Sequence, residues 1–241
     1  PWWARRRAVP QALRGWRLAW TRVDFEIDLR ALELTHHRCP QRCWPLRCAS
    51  RMSSKPKAKI LVIGPTGCGK TRLANSLAGV DDSPNLEASN PTQGVRILEF
   101  DKDVAAGGGR MVRLQVELWD TSGDKKFQNC WAAILKDAHG VVLVYDPSVK
   151  TQEKEVENWY KAYVTPLKLK DEQVVLFAHS HDPSAKSRLL QPPRALEQFP
   201  IFSTQIDDEE RKKACVEGFD RLLKGVLPVA VEASRADLSG L

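Results

Sequence analysis

The sequence predicts an α/β protein with a mostly parallel central sheet and helices on both faces. Three observations carry this prediction. Short apolar runs rich in β-branched residues (60–63, 141–145 and 173–178) alternate with amphipathic stretches of helical spacing, the order that builds a parallel sheet covered on both sides. The first run leads into Gly64-Pro65-Thr66-Gly67-Cys68-Gly69-Lys70-Thr71, which meets the pattern G-x-x-x-x-G-K-[ST] at every fixed position and opens a helical stretch at 72–78. Two strand-like segments, 95–100 and 111–119, flank Gly107-Gly108-Gly109 and form a hairpin, an antiparallel edge beside the first strand.

The loop after the first strand binds phosphate if its backbone can turn inward. Glycines at 64, 67 and 69 permit that turn, and the N-terminus of the following helix adds its dipole. Lys70 would then reach the β and γ oxygens of a nucleotide, with the Thr71 hydroxyl as a ligand of Mg²⁺. Pro65, Thr66 and Cys68 complete the cradle. The competing reading, a glycine-rich turn with a chance lysine, is opposed by strand, loop and helix standing in the required order.

Composition narrows the partners. The chain has 241 residues and a net charge of +7, from 37 basic and 30 acidic residues. Residues 1–51 hold 11 arginines, no lysine and 4 acidic residues, whereas the remaining 190 hold 26 basic and 26 acidic residues. A neutral domain is not drawn to polyanions by bulk charge, so no nucleic-acid partner is expected. Residues 1–51 also hold five of the eight tryptophans without helical or strand periodicity, and are read as a non-native or disordered basic extension; a targeting peptide is opposed by Asp24, Glu26, Asp28 and Glu33. His36, His37, Cys39, Cys43 and Cys48 match no common zinc spacing. The single cysteines Cys68, Cys130 and Cys215 fit reduced thiols in a cytoplasmic compartment. No apolar run approaches the roughly 20 residues that span a bilayer. The folded domain is expected over 52–228, with a short flexible tail at 229–241.

Further along, the polar stretch from Asp81 to Gly94 is a loop containing Thr92, where a hydroxyl could join Mg²⁺ when a γ-phosphate is present; a plain turn residue after Pro91 is the alternative. Asp120, at the end of the strand 111–119, is placed as the acidic partner of Mg²⁺, acting through water, and Gly123 offers a backbone N–H to a γ-phosphate. A polar loop at 124–130 and a short helix near 131–136 come next. A helix at 153–164, a Pro-containing loop at 179–200, a short strand at 201–202 and a helix at 209–227, stopped by Pro228, complete the chain.

Phosphate loop, switch threonine and Asp-x-x-Gly in this order resemble the Ras superfamily, implying a P-loop NTPase of small-GTPase fold. The stretches Asn90 to Phe100, Glu117-Leu118-Trp119-Asp120, Gly123 to Phe127 and Lys136 to Val142 resemble more narrowly the Rab-like small GTPases of the intraflagellar transport B complex. That resemblance implies GTP or GDP and Mg²⁺ as cofactors, a coiled-coil pair of B-complex subunits as partner, and a cytoplasmic place of work at the cilium or flagellum and its basal body. It also sets off the departures. Asp124 stands where such proteins carry a water-orienting glutamine, which implies slow or absent hydrolysis. His179-Ser180-His181-Asp182 stands where Asn-Lys-x-Asp reads guanine: Asp182 can still accept from the base, but the lysine stem is missing, leaving His179 or His181 to stack or to be ordinary loop residues. Ser203 alone stands for the Ser-Ala-Lys element. The C-terminus has no cysteine, so no direct lipid anchor is expected.

Two functions follow. One is an atypical GTP-dependent switch acting as subunit or regulator of intraflagellar transport. The other is a structural adaptor that does not cycle, whose nucleotide only stabilises the fold. A kinase or ATPase is disfavoured by the hairpin order and by the lack of an acceptor domain.

Overall fold

The structure, a computed structural model, describes residues 55–80, 91–180 and 192–239. The basic segment 1–51, the first part of the loop before Thr92, and His181 and Asp182 lie outside the described residues.

β1 (Lys57–Ile63) is the apolar run read from the sequence, and every residue after Lys57 in it is buried. β2 (Val95–Ala105) and β3 (Met111–Thr121) form the expected hairpin, closed at the glycine turn by Ala106 N–H donating to Arg110 O at 2.8 Å. β4 (Gly140–Tyr145), β5 (Val174–His179) and β6 (Ile201–Thr204) complete a six-stranded sheet ordered β2-β3-β1-β4-β5-β6. Among these pairings β2–β3 alone is antiparallel. β4 and β5 are buried along their whole length, as strands covered on both faces must be.

Period-two alternation divides the core into two layers. Ile60, Val62, Val142, Val144, Val175 and Phe177 face α1 (Lys70–Ala78) and α4 (Glu209–Ser239). Leu61, Ile63, Leu143, Tyr145, Val174 and Leu176 face the other layer. That layer holds α2 (Trp131–Leu135) and α3 (Lys150–Trp159), where Trp131 stacks on Tyr163 and meets Trp159 edge-on.

Several element boundaries depart from the sequence reading: β2, β3 and β6 run past their expected ends at 100, 119 and 202, and three further differences bear on the fold. The helix expected at 153–164 begins at Lys150 and widens into a π-helical turn over Tyr160–Val164. The region expected as loop from 179 onward has His179 as the last residue of β5 and a 3₁₀ turn, Arg194–Leu196, directly after Pro193. The last helix does not stop at Pro228 but runs on to Ser239, taking in much of the expected tail. A proline inside a helix removes one hydrogen bond and costs about 3 kcal/mol or more. Burial offsets this here: Leu222, Leu223, Val226, Leu227 and Ala230 form one buried stripe that crosses Pro228.

Candidate functional site

The site forms at the carboxyl ends of the strands, as expected of an open parallel sheet. β1 ends at Ile63, the loop 64–69 follows, and α1 begins at Lys70 with Gly69 in the left-handed region (φ 83°). That conformation is cheap for glycine and turns the chain sharply into the helix. Lys70 is buried, and its Nζ donates to Pro65 O at 2.6 Å, folding the side chain over the loop. Cys68 lies behind the loop, its Sγ donating to Val144 O at 3.3 Å; burial pushes its thiol up, so it is packed and unreactive. Gln152 of α3 steadies the loop from the side. Its Nε2 donates to Thr66 O at 3.4 Å while its Oε1 accepts from Asp146 N–H at 2.8 Å.

Thr71, Thr92 and Asp120, chosen separately from the sequence, come together. Thr71 Oγ1 lies 2.8 Å from Thr92 Oγ1 and donates to Asp120 Oδ2 at 2.9 Å. Asp120 is completely buried, and its Oδ1 has no hydrogen-bond partner among the described residues. Burial pushes its carboxyl above the usual range, opposed by the Thr71 hydroxyl and by Arg96. Three hard oxygen donors around an unpartnered buried carboxylate oxygen fit Mg²⁺. Among the described residues there is no group of three or more His, Cys, Asp or Glu, so any ion here would be held by these hydroxyls and the one carboxylate.

Gly123 packs on the phosphate loop so closely that a Cβ there would lie 2.5 Å from Thr66 N. Ser122 N–H donates to Gly94 O at 2.8 Å, joining the segments that carry Gly123 and Thr92. A cleft of about 380 Å³ is lined by Thr66, Gly67, Gly69, Lys70, Thr71, Thr92, Gly123 and Asp124. Asp124 caps its own 3₁₀ turn, Lys125–Cys130. Its carboxylate accepts from Lys126 N–H at 3.0 Å and pairs with Lys126 Nζ at 3.0 Å, contacts that hold it below the usual carboxylate range.

The base end corrects one expectation. His179 is not an exposed ring offered for stacking: it is buried at the end of β5 with Nδ1 3.2 Å from Thr204 Oγ1, so it braces β5 against β6. Ser180 N–H donates to Thr204 O at 3.0 Å in the same brace. Thr204 and Gln205, both buried, were not singled out from the sequence, which offered only Ser203; nothing in residue type alone marks them.

Arg96, Asn75 and Gln152 were also missed. Arg96 donates to Asn75 Oδ1 at 2.6 Å and lies 3.4 Å from Asp120 Oδ2. Counting back from the glycine turn along the hairpin puts Arg96 opposite Asp120, a signal present in the sequence. No comparable signal exists for Gln152, whose side-chain partners, Asp146 and Thr66, come from two separate segments.

Residues 59–182 match the family described as Ras of Complex, Roc, domain of DAPkinase. The chain is 42% identical over 155 residues to the intraflagellar transport protein 22 homolog of Danio rerio, covering 64% of this chain and 82% of that protein. The human homolog is 41% identical over 157 residues with the same two coverages. A chain of the GTP-bound T. brucei IFT22/74/81 crystal structure is 30% identical with a TM-score of 0.57, over 73% of this chain and 98% of that one. No helix among the described residues is long and apolar enough to cross a membrane. With its phosphate loop and hairpin-edged sheet, the chain belongs to the intraflagellar transport protein 22 family of Ras-like GTPase domains.

Proposed function

We propose that the chain is a GTP-binding subunit or regulator of intraflagellar transport in cilia or flagella, with slow or absent hydrolysis. The observation that carries the nucleotide reading is the convergence of Thr71, Thr92 and Asp120 beside the phosphate loop. The loop amides and Lys70 would bind the phosphate chain, with Gly123 N–H at its γ end. Mg²⁺, held by Thr71, Thr92 and Asp120, the last directly or through water, would supply charge neutralisation. Guanine would be read by Asp182, with His179 fixing the strand end from which that loop departs. GTP and GDP are the expected nucleotides, in keeping with the GTP-bound relative.

The partner fitting this family is a pair of coiled-coil subunits of the B complex, in line with the three-component assembly of the T. brucei relative. Work in the cytoplasm, at the cilium or flagellum and at the basal body, follows from such a partner. The adaptor reading has its own support in Asp124, a charged group occupied by Lys126 where water would have to be oriented.

Titrating the full chain with fluorescent GTP in Mg²⁺, then competing with unlabelled GTP, GDP and ATP, tests the site. Competition by GTP and GDP well ahead of ATP is expected. Equal competition by ATP, or no binding, removes the guanine reading. Partner affinity measured in GTP and in GDP then separates switch from adaptor, since a switch requires the two to differ.

A further inference from the structure

The β2–β3 register puts a permanent positive charge beside the residues read as metal ligands. Directly opposed residues of an antiparallel pair share a face, with Cβ atoms about 4.5–5.5 Å apart, and Arg96 is opposed to Asp120. On the same face of β2, Leu98 and Phe100 pack into the core against α1 and α4. At Arg96 this apolar stripe ends in a guanidinium.

Its position is set from two sides. Asn75 lies one helical turn after Thr71 on α1, is buried, and accepts from Arg96 at 2.6 Å. Arg96 then lies 3.4 Å from Asp120 Oδ2, the oxygen that also accepts from Thr71, while Oδ1 has no hydrogen-bond partner among the described residues. One carboxylate thus offers one oxygen to a resident cation and leaves the other open.

We propose that Arg96 is a resident cation of the Mg²⁺ site, sharing the Asp120 carboxylate with the metal and setting how weakly the metal is held. This rests on the reading of Thr71, Thr92 and Asp120 as Mg²⁺ ligands. Repulsion between guanidinium and metal loosens the metal. The ion pair keeps Asp120 aimed at Thr71 as metal occupancy falls. The Mg²⁺ midpoint for nucleotide retention should therefore lie at a higher free Mg²⁺ with Arg96 than without its charge. Arg96 is a positioning residue, since nothing requires it to touch a reacting atom.

The full chain is loaded with fluorescent GDP, and release is followed at buffered free Mg²⁺ for wild type, Arg96→Gln, Arg96→Met and Arg96→Lys. Both neutral variants are expected to shift the Mg²⁺ midpoint roughly tenfold lower, the order expected for removing a nearby like charge at a partly exposed site. Arg96→Lys should stay near wild type. The neutral variants should also lose more thermal stability in EDTA than in Mg²⁺. An unchanged or higher midpoint in both neutral variants overturns the proposal and leaves Arg96 a simple brace. Loss of nucleotide by both at saturating Mg²⁺ overturns it too, because removing repulsion cannot loosen the metal. If wild-type release ignores Mg²⁺ over the whole range, the metal reading itself falls and takes the proposal with it, while the nucleotide reading stands on the release signal.

Discussion

Asp124 and Gln152 show what single side chains decide here. Asp124 is tied to Lys126 by two contacts, so its partly exposed carboxylate serves as the cap of a turn at the rim of the cleft. Replacing it by glutamine removes the charge and supplies an amide that can both donate and accept. Under the GTPase reading, Asp124→Gln should raise intrinsic GTP hydrolysis by about 10- to 100-fold, the scale on which positioning a reacting group acts; single-turnover phosphate release measures this, and an unchanged rate places the defect elsewhere. Gln152 has a structural role at the same loop. Gln152→Leu strands the buried Asp146 N–H and weakens the hold on Thr66 O. Stability in urea should fall by about 1–3 kcal/mol. Nucleotide affinity should fall alongside it, because the loop loses its lateral support. The residues that carry chemistry were legible because a phosphate loop needs fixed residue types at fixed spacing. Those that hold the chemistry in place were not, since a buried glutamine or threonine acquires its role only from neighbours distant in sequence. His179 illustrates the limit: its type invited a stacking role, and its burial against Thr204 gives it a bracing one.

Elements were legible wherever hydrophobic period and turn chemistry agreed. The antiparallel edge beside β1 was legible as well, because a hairpin is a local pairing, whereas the order of the parallel strands was not read from the sequence. The last helix failed as a prediction for a physical reason: local propensity ended it at Pro228, and tertiary burial carried it through. Two substitutions in adjacent turns of α4 should therefore act in opposite directions. Pro228→Ala restores a helical N–H and should stabilise the protein by about 1–3 kcal/mol. Gly225→Ala would on propensity alone also stabilise, by about 1 kcal/mol. It should instead destabilise, because a Cβ at Gly225 would run into the carbonyl of Glu172, backbone that cannot simply rotate away. Equilibrium urea unfolding of both variants checks the pair; a stabilised Gly225→Ala would mean that α4 can slide off the 3₁₀ turn Asp171–Gln173, which carries that carbonyl.

At the scale of the molecule, the two ends of the sheet have different work. Nucleotide chemistry belongs to the carboxyl ends of the strands. The amino ends of β1 and β4 are fastened by a titratable knot: Lys59 N–H donates to His139 Nδ1 at 3.1 Å, His139 N–H donates to Lys59 O at 2.9 Å, and Gln173 Nε2 donates to His139 O at 2.7 Å. Lys59 Nζ reaches Lys136 O and lies 3.7 Å over the Trp119 ring. An accepting Nδ1 requires that nitrogen to be unprotonated, and burial lowers the His139 pKa below its ordinary 6.5. The unfolded chain therefore binds this proton first as pH falls. The contribution of His139 to stability is complete above about pH 6.5, declines as pH drops below that value, and levels off below the folded-state pKa. His139→Asn keeps an oxygen acceptor but removes the titration, so its melting temperature should fall less than that of wild type between pH 7.5 and 5.5. Because the knot and the cleft lie at opposite ends of the strands, the stabilisation gained from saturating GTP and Mg²⁺ should differ little between wild type and His139→Asn at either pH, as additivity expects of sites without shared partners. A variant that loses as much stability as wild type on acidification assigns the acid sensitivity to other groups; a GTP increment that changes with the variant means that the two ends of the sheet are coupled.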